Sequence, residues 1–249
     1  MTIPPYIVLC LTFFGESGVY GFLEHLDSRP SAQILLQSIS TEARQQMIFR
    51  QFEGLFPMPV WHETGITQSM AWTLLSPYLK TCPAENPRIE FQIFPGLSIK
   101  NNPNATYLSL TPGISNNVPS LSSPGRELQF TWEDPRKVTG YNDSYTTNTT
   151  AGAAKFVAWI SQLNVTYTDF NITSENAGIT IQPGGDLYGN GSAPIVNGSM
   201  FIAITDLDPF LTPFNISMIH EHIVAGPALY QSDQLNHNIN DNEKNGSKA

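Results

Sequence analysis

The chain has 249 residues, 41% of them hydrophobic and 11% aromatic, which is enough to bury a core in one or two domains. Only 13% are charged, the net charge is -9 and the isoelectric point lies near 4.9, so the basic field that a phosphate backbone requires is missing and nucleic acid is excluded as a partner. No apolar run approaches the roughly 18 to 20 residues of a membrane span, which excludes an integral membrane segment.

The first stretch, "MTIPPYIVLCLTFFGESG", carries an apolar run from Ile7 to Phe14 with no Lys or Arg ahead of it. A secretory leader calls for a basic start and a small-residue cleavage site, and Gly15, Ser17 and Gly18 match that only loosely, so the export signal is ambiguous. From Gly15 to about Thr81 the chain reads helical, broken at Asp27 to Pro30 by Ser28 and Pro30. In Ser31 to Phe52 the apolar residues Ala32, Leu35, Leu36, Ile39, Ala43, Met47 and Phe52 recur at helical spacing, which predicts a core-facing helix ended by Gly54. Thr67 to Leu79 predicts a shorter helix ahead of Pro83. Two cysteines, Cys10 and Cys82, permit one disulfide at most.

After Cys82 the character changes, and short alternating runs bounded by turn residues replace helical periodicity. "ELQFTWED" sets Leu128, Phe130 and Trp132 on one face of a strand, and "KFVAWISQLNVTYTDF", "GITIQP", "SMFIAITDLD" and "HIVAGPALYQ" are β-branched and aromatic. Several short strands separated by turns predict an antiparallel β-sandwich of immunoglobulin-like type. The segment from Asp134 to Gly152 predicts a long polar loop, and the tail from Ser232 lacks apolar anchors and is expected to be disordered.

Asn-x-Ser/Thr acceptors stand at Asn104, Asn142, Asn148, Asn164, Asn171, Asn190, Asn197, Asn215 and Asn245. Chance would place roughly three or four in such a composition, so the excess points to a glycosylated protein of the secretory route.

Four stretches invite a chemical reading. "GESGV", Gly15 to Val19, has the outline of a nucleophile elbow, but Val19 stands where that turn needs a small residue, so a serine hydrolase is disfavoured. "HEH" would set His220 and His222 on one face of a strand, a spacing able to ligate zinc or copper, yet no third ligand is placed beside it and two surface or edge-strand histidines are the better reading. Asp206 and Asp208 in "TDLDPF" lack the Gly and terminal Glu of a calcium loop and are read as a strand-ending turn. The fourth is helical. Two-metal carboxylate bundles draw a Glu from two helices and Glu-x-x-His from two others. Here Glu16 lies near the start of one helix and Glu42 within the next, with Gln45 where the His would stand. A neutral amide is a poor substitute for imidazole at iron. The alternative is a polar seam in which Glu42, Gln46 and Arg50 follow one another at i, i+4 and i+8.

The run from "FGESGVYGFLEHLDSRPSAQILLQSISTEARQQMIFRQF" to "SPYLKTCP", continued through "NPRIEFQIFPGL" and "MFIAITDLDPFLTPFNISMI", closely resembles the second half of the ferritin-like domain and the region after it in fungal secreted proteins known as stress-response or late-sexual-development proteins. The resemblance covers residues 15 to about 231. It implies an export signal, a four-helix ferritin-like domain and a β-rich carboxyl domain, without an established enzymatic activity. The expected fold is therefore α+β and multidomain: an atypical segment 1–14, a ferritin-like half-bundle 15–82, a β-sandwich 83–231 and a tail 232–249.

Two helices and a leader of that family have no counterpart here, so an N-terminal truncation or misplaced start is expected, with helix faces left bare for self-association. The expected function is that of a secreted, N-glycosylated, non-catalytic protein of stress response or sexual development, with the cell wall as a partner and no cofactor. The alternatives are a di-iron-like protein holding iron or manganese at Glu16 and Glu42, and an adhesion module working through the β domain.

Overall fold

The computed structural model describes residues 5–23, 25–104, 112–113, 120–187 and 194–232. Of the tail only Ser232 is among them, buried and with its N–H donating to the Gly198 carbonyl, while residues 233–249 and the acceptors Asn190 and Asn245 lie outside them. The class is α+β, with antiparallel sheets.

Helix α1 spans Pro5–Leu23 and runs without a break through Gly15, so the apolar stretch Ile7 to Phe14 and the segment Gly15 to Leu23 form one helix. It is apolar on most sides, which suits a helix covered on both flanks. Leu9, Cys10, Phe13 and Phe14 are buried. Helix α2, Arg29–Phe52, begins where Ser28 accepts from the Ser31 N–H and Pro30 fills the first turn, as the local sequence predicts. It ends at Gly54, whose φ of 72° is costly for other residues. Helix α3, Gln68–Leu75, is capped by Thr67 and tightens into a 3-10 turn over Ser76–Tyr78, four residues short of the expected end, because Pro77 has no N–H to donate.

Ten strands lie beyond the helices among the described residues. β1 (Leu97–Ile99), β2 (Glu127–Trp132), β8 (Ala177–Ile181) and β7 (Asn171–Ser174) form one antiparallel sheet in the order β1-β2-β8-β7. β10 (Ile223–Gln231), β9 (Ser199–Thr205), β5 (Phe156–Ser161) and β6 (Asn164–Asp169) form a second, in the order β10-β9-β5-β6. A short ribbon pairs β3 (Val138–Thr139) with β4 (Tyr145–Thr146). The two large sheets share a core of Leu128, Phe130, Val157, Trp159, Met200, Ile202, Ile204 and Tyr230.

The alternate residues Ala158, Ile160 and Phe201 point the other way and pack with Phe13, Phe14, Ile66 and Met70 under the helices. The second sheet is thus buried on both faces, which explains why "SMFIAIT" is apolar without alternation. Helices and strands on either side of Cys82 share this inner core. Cys10 and Cys82 are not joined in a disulfide.

The apolar face expected for α2 is corrected by this layering. Of its seven apolar positions only Ile39 is buried, whereas Leu36 and Phe52 are exposed, with Ile34 and Ile48 beside them. Its strongest packing among the elements is with α1, because α1 and α3 already occupy the sheet and leave α2 as an outer layer. The residues that α2 does bury include Gln46 and Arg50.

Candidate functional site

One position on α1 is chemically unusual. Glu16 is only 1% exposed, in the helix half that α2 covers. Three elements surround it. From α2, the Gln46 side-chain amide donates to Glu16 Oε2, and Glu42, one turn earlier, lies against α1 at Gly15. From α1 itself comes Tyr20, one turn on. From the loop between α2 and α3 comes Glu63, held near the site where the Ile66 N–H donates to the Ser17 carbonyl, 3.0 Å away. That crossing is possible only beside a glycine: a Cβ on Gly21 would stand 1.9 Å from the Ile66 carbonyl oxygen.

Burial, reinforced by the carboxylates of Glu63 and Glu42, pushes the Glu16 carboxyl up to about 8, against which the Gln46 amide and Tyr20 act only in part. Among the described residues Glu16 Oε1 has no hydrogen-bond partner, an arrangement far less costly for a neutral acid than for a carboxylate. Glu63 is also raised by burial, with Arg50 pulling the other way. Burial and then Glu16 push Tyr20 up to about 12, so it stays a neutral phenol. Arg50 closes the seam: its Nε donates to the Phe56 carbonyl at 2.8 Å and its Nη1 to Ser199 Oγ at 3.2 Å.

The seam reading of α2 therefore describes its buried face, with Glu42 half-buried and Gln46 and Arg50 buried. Gln45, the residue set against a metal-ligating His, is exposed, because i+3 from Glu42 turns away from α1 where i+4 turns toward it. The side chain nearest Glu16 on α2 presents an N–H to it, and the described residues include no group of three or more His, Cys, Asp or Glu placed to hold a metal ion.

The chemistry the cluster supports is retention of a proton. A folded pKa raised above the ordinary 4.5 means that the folded state holds a proton which the unfolded chain releases, so this contribution is fully present below pH 4.5 and is lost as pH rises toward 8. We expect Glu16→Gln, which copies the neutral acid, to be more stable than the unsubstituted protein by on the order of 2 to 3 kcal/mol at pH 8.5, discounted for screening by water, and to match it at pH 4.5. Urea unfolding at both pH values measures this, and a constant difference between them would remove the proton from the account. His220 slopes the other way, since burial lowers its pKa, so the difference between the two proteins isolates Glu16.

The remaining motifs resolve into structure. "GESGV" lies inside α1, so Ser17 occupies no strand-to-helix elbow. "HEH" is in a 3-10 segment, Ile216–His222, and its imidazoles part: His220 Nε2 is 2.6 Å from Thr67 Oγ1 with its ring against Phe94, while His222 Nδ1 is 3.0 Å from Asp206 Oδ1. Asp206 also accepts from the Gly152 N–H at 2.6 Å, which closes the turn.

The acceptor asparagines differ. Asn104, Asn142, Asn148 and Asn171 are exposed, and Asn164 is half-buried on the edge strand β6. Asn197 is buried, its Nδ2 donates to the Pro59 carbonyl and its Oδ1 accepts from the Gly198 N–H, so a glycan on that nitrogen would have to displace this packing. Asn215 is half-buried, with Oδ1 accepting from Thr212 and Nδ2 donating to the Phe210 carbonyl.

Glu63 was not legible as a site residue, since its approach depends on the return of the loop and leaves no spacing signal. Glu63 also borders two cavities. A small one of about 60 Å³ lies between α2 and Pro57 to Val60. A larger one of about 540 Å³ opens beside Tyr20 and runs along β5 and β6. Among the described residues, no helix is long and apolar enough to cross a membrane.

No family model matches the chain. It is 48% identical over 236 residues to protein rds1 of Schizosaccharomyces pombe, an alignment that takes in 89% of this chain and 59% of that protein. The chain thus spans about three-fifths of the length of the curated relative it matches.

Proposed function

We propose that this chain acts as a secreted, N-glycosylated protein of the fungal ferritin-like class, without catalysis, in stress response or sexual development at the cell wall. In this reading α1 and α2 are half of a ferritin-like bundle, set on a sandwich of immunoglobulin type. Kinship with the Schizosaccharomyces pombe protein supports the fungal assignment. Exposed acceptors at Asn142, Asn148 and Asn171 support the glycoprotein. The bare apolar side chains Ile34, Leu36, Ile48 and Phe52 on α2 support self-association.

The observation that carries the non-catalytic reading is the Gln46 amide, which donates to Glu16, while Gln45, at the position of the motif's His, is exposed. The test is one preparation of protein secreted by a fungal host, analysed for metal and for glycopeptides. Iron and manganese are expected well below one ion per chain, with glycans on Asn142, Asn148 and Asn171 and none on Asn197. Stoichiometric metal that disappears in Glu16→Ala and Glu42→Ala would sink the non-catalytic reading. Protein retained in the cell without glycans would sink the secreted one.

A further inference from the structure

The larger cavity has no part in a non-catalytic role at the cell wall, and its chemistry is specific. Its volume of about 540 Å³ falls within the range of small-molecule sites. Its floor is the helix-side face of the second sheet, where Ile160 of β5 and Val165 of β6 turn toward the helices. Its lip is Leu163 and Phe214, and Phe214 is 83% exposed. Phe210 and Met218, from the same segment as Phe214, are also exposed. A large aromatic ring held in water at the mouth of an apolar cavity gains nothing for the fold, but it adds apolar contact area for an occupant. At one end stand Tyr20 and Glu63, and Gln162, Asn164 and Thr212 are the other polar residues of a lining that is otherwise apolar or glycine.

We propose that this cavity binds an uncharged, predominantly apolar small molecule carrying one hydroxyl, with its apolar body on Ile160, Val165 and Phe214 and its oxygen toward Tyr20 and Glu63. Charge decides against an anion of the same shape. The residues lining the cavity include no Lys, Arg or His to pair with an anion, and the chain carries a net charge of -9. A cation is disfavoured because Arg50 offsets Glu63 from the side away from the cavity, and because burial favours the neutral acid. A hydroxyl, by contrast, is able to donate to one of the Tyr20 and Glu63 oxygens and accept from the other.

The experiment is a fluorescence titration of the full-length protein with the neutral dye N-phenyl-1-naphthylamine, followed by displacement with 1-dodecanol and with dodecanoate. Asn164 borders the cavity, so the titration is run before and after enzymatic removal of glycans. Saturable one-site binding is expected, with dodecanol displacing the dye at a concentration at least about tenfold below dodecanoate. Val165→Trp, which fills the cavity, is expected to weaken dye binding by about tenfold or more, and Phe214→Ala by several-fold through lost apolar contact. Phe214 is exposed, so its truncation leaves the fold intact should Val165→Trp fail to fold. The proposal is overturned by absence of saturable binding in both glycan states, by equal displacement by the two competitors, or by undiminished binding in Phe214→Ala.

Discussion

Arg50→Ala is expected to lower the unfolding free energy by about 3 to 5 kcal/mol, because it removes one member of a buried charged network and strands the others. Arg50 is 3% exposed and reaches across two junctions at once, donating to the Phe56 carbonyl in the loop after α2 and to Ser199 at the start of β9. Without it the Phe56 carbonyl loses its donor and Glu63 loses the positive charge that opposes its desolvation. Arg44, on the same helix, is the control. Among the described residues its guanidinium donates to Thr41 Oγ1, one turn back on an exposed face, and Arg44→Ala is expected to cost less than about 0.5 kcal/mol. Urea unfolding compares the two, and a cost below about 1 kcal/mol for Arg50→Ala would mean that the seam between α2 and β9 contributes little.

Phe201→Ala is the second large effect, also about 3 to 5 kcal/mol, from lost transfer free energy and the cavity left behind. Phe201 is fully buried in the centre of β9, its ring 5.0 Å from Phe13 and nearly parallel to it, and 6.2 Å from Phe14. It therefore joins the helical layer to the sheet. The expected signature is a single cooperative transition moved to lower denaturant, since helices and strands share that core. Two separated transitions, one helical and one β, would show that the layers fold independently and that the Phe13–Phe201 contact is dispensable to one of them. Ile172→Ala, on the exposed edge strand β7, serves as the reference of small effect.

Much of the local structure was written in adjacent residues. Ser28 and Pro30 start α2 and Gly54 ends it, because caps and breakers act within one turn. The strands β2, β5, β6, β8, β9 and β10 follow their β-branched and aromatic runs, because alternation and turn residues are local as well. The seam of Glu42, Gln46 and Arg50 was legible for the same reason, as a spacing along one helix.

The faces those elements bury were not settled locally. The apolar positions of α2 predict a core helix, but α1 and α3 hold the sheet, and the competition for that surface left Leu36 and Phe52 in water. Asn197 carries an acceptor motif as good as Asn171, yet one is locked under Pro59 and the other stands on an edge strand. Glu16 was identifiable as a carboxylate in a helix, whereas its burial and raised pKa depend on Gln46, 30 residues away, and on Glu63, brought in where Ile66 crosses α1 at Gly21. The sequence by itself determined where α2 starts and stops and which runs become β2, β5, β6, β8, β9 and β10, because those preferences are short-ranged. The start of α1, the ribbon β3–β4 inside the expected loop and the 3-10 form of His220 to His222 were not legible in it. Only the tertiary structure decided which carboxyl keeps its proton, because desolvation and charge act through space between residues that the chain order holds apart.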